Sequence, residues 1–276
     1  MAGLFGFFNY SKPGPGISRD EPKKHSLFLF FDIYFRKFWK LVTLNLLFLS
    51  TFIIPVAFNY FVYKFIASDI AFYLSFITTI IIAGIATTGV SLILRNYVRE
   101  ENVFMWTDFV KTVKSNWKMA AVLSFIDLIA FYLLRFASNF YTISGFEKIH
   151  PNLSSIASGI LLLVGLLFLF MHYYIFIMLV TFKITLKQLY KNAFLFAIIG
   201  LWRNVLITIV FAAIGYLIFI TIPISIVMAV FIMFSTMGFV STFLVYPLIK
   251  RYMIDPIKAE QPKEEEDKPI FKDDIT

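Results

Sequence analysis

The chain contains no cysteine, which excludes disulfides, thiol nucleophiles and cysteine-ligated metal sites. Charge is nearly as scarce, with Asp, Glu, Lys and Arg making up 15% of the 276 residues. The three histidines, His25, His150 and His172, cannot form the HExxH of a metalloprotease. Neither a GxxxxGK(S/T) phosphate loop nor a GxSxG nucleophile elbow occurs. No catalytic, cofactor-binding or metal-ligating residue is nominated, so the chain reads as non-enzymatic and cofactor-free.

What the chain has instead is long apolar runs. Hydrophobic residues make up 59% of it, and phenylalanine alone occurs 35 times. A span of about 20 apolar residues matches a hydrocarbon core roughly 30 Å thick. Such runs fall at about 41–63, 70–94, 119–136 and 156–181, followed by one uncharged stretch from Asn204 to Ile249. As a single helix that last stretch would be ~69 Å long, about twice what a bilayer needs. Pro223 lies near its middle, where it removes a backbone donor and disfavours helix in the residue before it. The stretch therefore divides into spans at about 204–223 and 226–249. The predicted fold is an all-α polytopic membrane helix bundle: six transmembrane helices as three hairpins, with cytoplasmic interfacial helices.

Basic residues give a direction. Segments 1–40, 95–118, 182–203 and 250–276 hold all of the 25 Lys and Arg except Lys64, Arg135 and Lys148. Basic residues near span ends stay on the cytoplasmic side, so both termini are expected in the cytoplasm. The net charge of +8 then reflects topology and contact with anionic lipid, and no nucleic-acid partner is expected. The first span is read as an uncleaved insertion signal, because Leu4 to Phe8 is too short for a signal peptide.

Three segments resemble one another. Trp39-Lys40, Trp117-Lys118 and Trp202-Arg203 each precede an odd-numbered span, and each pair reads as an interfacial anchor. A repeated hairpin is compatible with the same pattern. The segments leading into these anchors are amphipathic: Phe28, Phe31, Phe35 and Phe38; then Val103, Trp106, Val110, Val113 and Trp117; then Leu186, Leu189, Tyr190, Ala193 and Phe194. Each is expected to lie in the cytoplasmic interface or to offer a platform to a partner. Residues 1–26 form a cytoplasmic segment that includes a turn over Lys12–Gly16, with Leu4, Phe5, Phe7 and Phe8 expected at the interface or beneath the bundle. The six-span domain covers 27–254, and 255–276 form a polar tail expected to be disordered.

Asp127 and His172 stand out within the spans. Asp127 is nine residues beyond Lys118 and His172 eleven before Lys183. Both therefore sit about 14–16 Å from the cytoplasmic edge. The third and fourth spans form a hairpin, so contact between the two is geometrically available. A carboxylate at that depth costs roughly 3 kcal/mol on insertion scales and normally faces the bundle interior. The alternatives are a satisfied polar pair, a protonated Asp127 bonded to a carbonyl, a proton relay or substrate contact, and no contact at all. Asn45, Asn59, Thr78, Thr79, Thr87 and Thr88 read as helix-packing hydrogen bonders. Ala83, Gly84, Thr87, Thr88 and Ser91, and Ser235, Gly238, Ser241 and Thr242, make small-residue faces for close helix approach. Pro55 is expected to kink the first span.

The opening Met1-Ala-Gly-Leu-Phe-Gly-Phe-Phe-Asn-Tyr, then Lys12-Pro-Gly-Pro-Gly-Ile17, then Asp20-Glu-Pro-Lys-Lys24, resembles the start of YesL-family membrane proteins of Gram-positive bacteria, and Phe35-Arg-Lys-Phe-Trp-Lys-Leu41 fits too. The resemblance covers nearly the whole chain. That family has no assigned activity, and its genes commonly neighbour those of carbohydrate ABC importers and polysaccharide-degrading enzymes. The resemblance implies an accessory or regulatory partner of a carbohydrate ABC uptake system, with permease subunits as partners; it supplies no site residues. The alternative is a transporter in its own right, using a polar site near Asp127 and His172. The segment Tyr190–Gly200 lacks the acidic residue and glycine spacing of the coupling loop of an ABC permease subunit.

Overall fold

The computed structural model describes residues 26–65, 68–142, 146–222 and 224–260. The expectations for the apolar opening, the Lys12–Gly16 turn, Pro223 itself and the acidic stretch after residue 260 lie outside the described residues. Among the described residues the chain is helical almost throughout and has no strand. The elements in order are α1 (Ser26–Arg36), α2 (Phe38–Ser50), α3 (Ile53–Phe65), α4 (Ser68–Val98), α5 (Met105–Thr142), α6 (Phe146–Ile149), α7 (Pro151–Thr181), α8 (Leu186–Ile199), α9 (Leu201–Ile220), α10 (Ile224–Met228), α11 (Phe234–Ile249) and α12 (Asp255–Glu260). Two π-helical turns, Ala229–Met233 and Lys250–Ile254, flank α11.

The chain divides into two units at Arg36. The first contributes α1, whose aromatic residues pair at helical spacing. Phe30 stacks on Tyr34 at 5.9 Å and Phe31 on Phe35 at 6.2 Å between ring centroids, as neighbours one turn apart on a helix do.

The second unit holds six segments long and apolar enough to cross a bilayer: Phe38–Phe65, Tyr73–Val98, Met105–Tyr141, Pro151–Thr181, Leu201–Ile220 and Ile224–Ile257. The protein is an all-α, multi-pass membrane helix bundle. Helices that are apolar around their whole circumference suit hydrocarbon on one side and protein on the other.

The sequence also accounts for where these helices start, break and end. The first span is interrupted at Thr51–Phe52, between α2 and α3. Pro55 lies in the first turn of α3, where its missing N–H leaves the Thr51 carbonyl without its usual partner. The end of α2 tightens in response, with Thr51 N–H donating to Phe48 O at 3.1 Å and Phe52 N–H to Leu49 O at 3.0 Å. Pro151 opens α7, where a fixed φ is favourable and the lost donor is free of consequence. Thr185 and Gln188 form a capping box at the start of α8. Helix also stops at Ile220 and resumes at Ile224, on either side of Pro223.

Two expectations differ from what the fold shows. The amphipathic segment before the third span is no separate element. It forms the first turns of α5, a 38-residue helix about 57 Å long. No glycine or proline lies between Met105 and Thr142 to break it. The chain beyond Ile254 also remains helical, through α12 to Glu260. The segment before the fifth span is a separate helix, α8, ended by a turn at Gly200.

Packing is uneven along the bundle. The core gathers toward the end that carries the Trp–cation pairs, around Leu123, Tyr174, Met178, Leu189, Phe196, Val245 and Ile249. Toward the opposite end, large apolar side chains of α3, the second half of α5, the first half of α7 and the second half of α9 are exposed, among them Phe61, Phe136, Leu163 and Phe219.

Candidate functional site

α5 and α7 bring Asp127 and His172 together. His172 Nε2 lies 2.8 Å from Asp127 Oδ1, and its Nδ1 lies 2.8 Å from the Phe168 carbonyl oxygen. A carbonyl only accepts, so Nδ1 carries the hydrogen and donates it. One proton then remains for the Nε2–Oδ1 contact. It rests on the carboxyl with a neutral imidazole, or on the imidazole with a carboxylate. Either arrangement is neutral as a unit, which suits a site in hydrocarbon better than an isolated charge. The side chains remain 25% and 22% exposed for Asp127 and His172.

Tyr190 of α8 packs against the core at the Trp–cation end of the bundle. Its hydroxyl is buried and makes no hydrogen bond within the described residues. Burial pushes its phenol up to about 12.

On its other side His172 borders a cavity of about 240 Å³. The walls come from α2, α4, α7, α9 and α11: Leu44, Phe48, Val90, Leu94, Phe176, Phe211 and Phe234 are typical, interspersed with Thr87, Ser91, Ser241 and Thr242. Asp127 does not line it, so the imidazole stands between the carboxyl group and the cavity. Thr87 and Ser91 of the small-residue face on α4, and Ser235, Gly238, Ser241 and Thr242 of that on α11, thus border space. Gly84 and Gly238 do mark close helix approach. A Cβ on Gly84 would overlap the Ser124 hydroxyl of α5, and one on Gly238 would lie 2.6 Å from Leu94 Cδ1.

Asn45 forms part of the cavity wall and holds the first π-helical turn. Its Nδ2 donates to Ala229 O at 3.0 Å and Val230 O at 2.6 Å, and its Oδ1 accepts from Ser235 N–H at 3.0 Å. A π turn displaces backbone groups from the regular α ladder. One fully buried amide supplies partners for three of them. That agrees with Asn45 as a helix-packing residue. Asn59 and Thr78 likewise join α3 to α4 at 3.2 Å.

Several polar links escaped the sequence reading. Arg95 at the end of α4 donates to Val180 O at 3.0 Å and Thr181 Oγ1 at 3.1 Å, at the negative end of α7. Tyr174 donates to Asn204 Oδ1 at 2.9 Å, and Asn204 Nδ2 donates to Ala197 O at 3.0 Å, closing the α8–α9 turn. Arg203 donates to Leu244 O at 2.9 Å, joining α9 to α11. Arg203 is therefore a helix-to-helix bonder. Trp39 and Trp202 are strongly exposed, and Trp117 lies under the Lys118 ammonium at 5.7 Å. A cation one residue after Trp fits either role by sequence, and nothing beside Arg203 names Leu244 as its partner.

Comparison with known protein families, with curated proteins and with solved structures finds no match to this chain.

Proposed function

We propose that the chain is a non-enzymatic accessory or regulatory partner of a carbohydrate ABC uptake system in a bacterial plasma membrane. The Trp–cation end and both termini are then cytoplasmic, as the positive-inside distribution of Lys and Arg requires. The resemblance to the YesL family motivates the choice of partner. The observation that carries it is the bare outer half of the bundle. Gly159 and Gly165 on α7 and Gly215 on α9 have nothing within 4 Å of where a Cβ would stand. Glycine lowers helix propensity by about 1 kcal/mol, and these three gain no close packing inside the chain in exchange. Small residues are where membrane helices approach one another closely, so helices of permease subunits suit this face. Crosslinking in native membranes followed by purification tests the proposal. Permease subunits recovered with the wild-type chain, and lost in Gly159→Leu and Gly165→Leu variants, support it; their consistent absence contradicts it.

A second reading, a transporter in its own right, is favoured by one observation: His172, bonded to Asp127, borders a cavity between the helices. For a sugar the walls are too apolar, since each hydroxyl of a sugar needs a hydrogen-bonding partner once it leaves water. If uptake in cells is unchanged by Asp127→Asn and His172→Ala, this second reading fails.

A further inference from the structure

The central cavity has a shape and a chemistry of its own. On α4 it runs from Thr87 to Leu94 and on α11 from Phe234 to Thr242. Seven or eight residues of helix rise about 10–12 Å. A volume of about 240 Å³ spread over that length leaves a cross-section of about 20 Å², on the order of one extended hydrocarbon chain. An engineered apolar cavity of about 150 Å³ holds benzene, so by proportion this one has room for roughly ten carbons.

The walls offer little to a polar ligand. His172 has both ring nitrogens engaged, by Asp127 and by the Phe168 carbonyl. Asn45 is held by span six. The hydroxyls of Thr87, Tyr173 and Ser235 bond to Ala83 O, Thr208 Oγ1 and Ile232 O. What remains is three neutral hydroxyls, on Ser91, Ser241 and Thr242, too few for a sugar or a desolvated ion. Phe48 and Phe234 pack at 5.6 Å between ring centroids, and Phe234 both lines the cavity and is 41% exposed. The cavity therefore reaches the flank of the bundle at a depth where the surroundings are hydrocarbon. Left empty, its lining would forfeit dispersion contacts on one side.

We propose that this cavity seats one unbranched hydrocarbon chain, entering sideways from the bilayer past Phe234, from a phospholipid tail or a free fatty acid. This goes beyond the partner reading and does not depend on it. The chain lies along the small residues of α4 and α11, with its methylene groups against Phe48, Val90 and Phe176. His172 contributes to the wall with both ring nitrogens bonded elsewhere, and Asp127 lies behind its imidazole.

The test uses the full chain reconstituted in bilayers with two photoreactive probes, a medium-chain fatty acid carrying a mid-chain diazirine and a phosphatidylcholine carrying the same tail. Labelled positions are read by peptide mass spectrometry. Labelling of Phe48, Phe176 or Met237 that excess unlabelled chain competes away is the expected result, and the probe that labels identifies the source. Val90→Phe and Ser241→Leu, each filling the cavity, should weaken that labelling about tenfold while leaving Leu163 and Phe219 on the outer surface labelled as before. Helix content and elution volume establish that each variant is folded. Labels confined to outer positions in the wild type, or wall labelling that competitor does not reduce, overturn the proposal without recourse to either variant. Wall labelling unchanged in a folded variant overturns it as well.

Discussion

His172 Nε2 on α7 stands 2.8 Å from Asp127 Oδ1 on α5, while the other ring nitrogen is fixed to a carbonyl of its own helix. The geometry allows one shared proton and a neutral pair, and that has consequences for substitution. Asp127→Asn keeps a donor facing Nε2 and should leave stability near wild type. Asp127→Leu leaves Nε2 without a partner and should cost about 1–3 kcal/mol. His172→Leu should cost at least as much, because the carboxyl group then has no imidazole. The double leucine variant should be less damaged than the sum of the two, a coupling that thermal unfolding in detergent can measure.

Asn45 fastens α2 to the Ala229–Met233 turn by three hydrogen bonds. Asn45→Leu removes all three and leaves backbone groups unpaired where water is scarce. The expected loss is about 2 kcal/mol, between the modest value of membrane side-chain bonds and the full penalty of a stranded polar group. Hydrogen exchange should rise most over residues 229–235, and a change spread evenly over the bundle would contradict this account.

Gly200 sits beneath the Tyr174 hydroxyl, and a Cβ there would overlap it while lying 2.9 Å from Phe196 O. Gly200→Ala should therefore destabilise by about 1–3 kcal/mol through overpacking. Tyr174→Phe removes the overlapping oxygen but also its bond to Asn204. In the Tyr174→Phe background the alanine should cost less than in the wild type, as read from apparent melting temperatures of the four proteins.

Trp202 and Arg203 are neighbours in sequence with opposite surroundings. Trp202 is 85% exposed, whereas Arg203 donates to Leu244 O. Arg203→Ala should cost about 1.5–3 kcal/mol, typical of a charged donor lost from a carbonyl. Trp202→Ala should change detergent-phase stability by less than about 0.5 kcal/mol, as an exposed substitution does. Equal effects would mean that both act as surface anchors.

What was legible in the sequence is what local chemistry decides. Hydropathy marks five apolar runs, and the length of the last with Pro223 near its middle divides it into two spans, because a helix surrounded by hydrocarbon needs no partner to declare itself. Pro55 marks the break in the first span for the same reason, whereas equal depth on adjacent spans made an Asp127–His172 contact available without deciding it, and the packing of α5 on α7 supplies it. The links made across distant helices could not be read this way. Asn45 reaches a π turn more than 180 residues away, and Arg95 meets the end of α7 85 residues on; nothing beside either residue names its partner. The amphipathic stretch before Trp117 was misjudged as a separate element because periodicity reports a face and is silent on where a helix bends. The cavity was hidden because small residues look alike whether they admit a neighbouring helix or enclose a void.

The alternation of the connections between successive spans, with the Trp–cation end in the cytoplasm, is tested most directly by thiol labelling, since the chain has no cysteine of its own. Single substitutions Lys64→Cys and Glu147→Cys should react with a membrane-impermeant maleimide added to intact cells. Ser115→Cys and Lys187→Cys should react only after the membrane is opened. Labelling of all four from outside, or of Ser115→Cys and Lys64→Cys from the same face, would contradict a six-span bundle with its Trp–cation end in the cytoplasm.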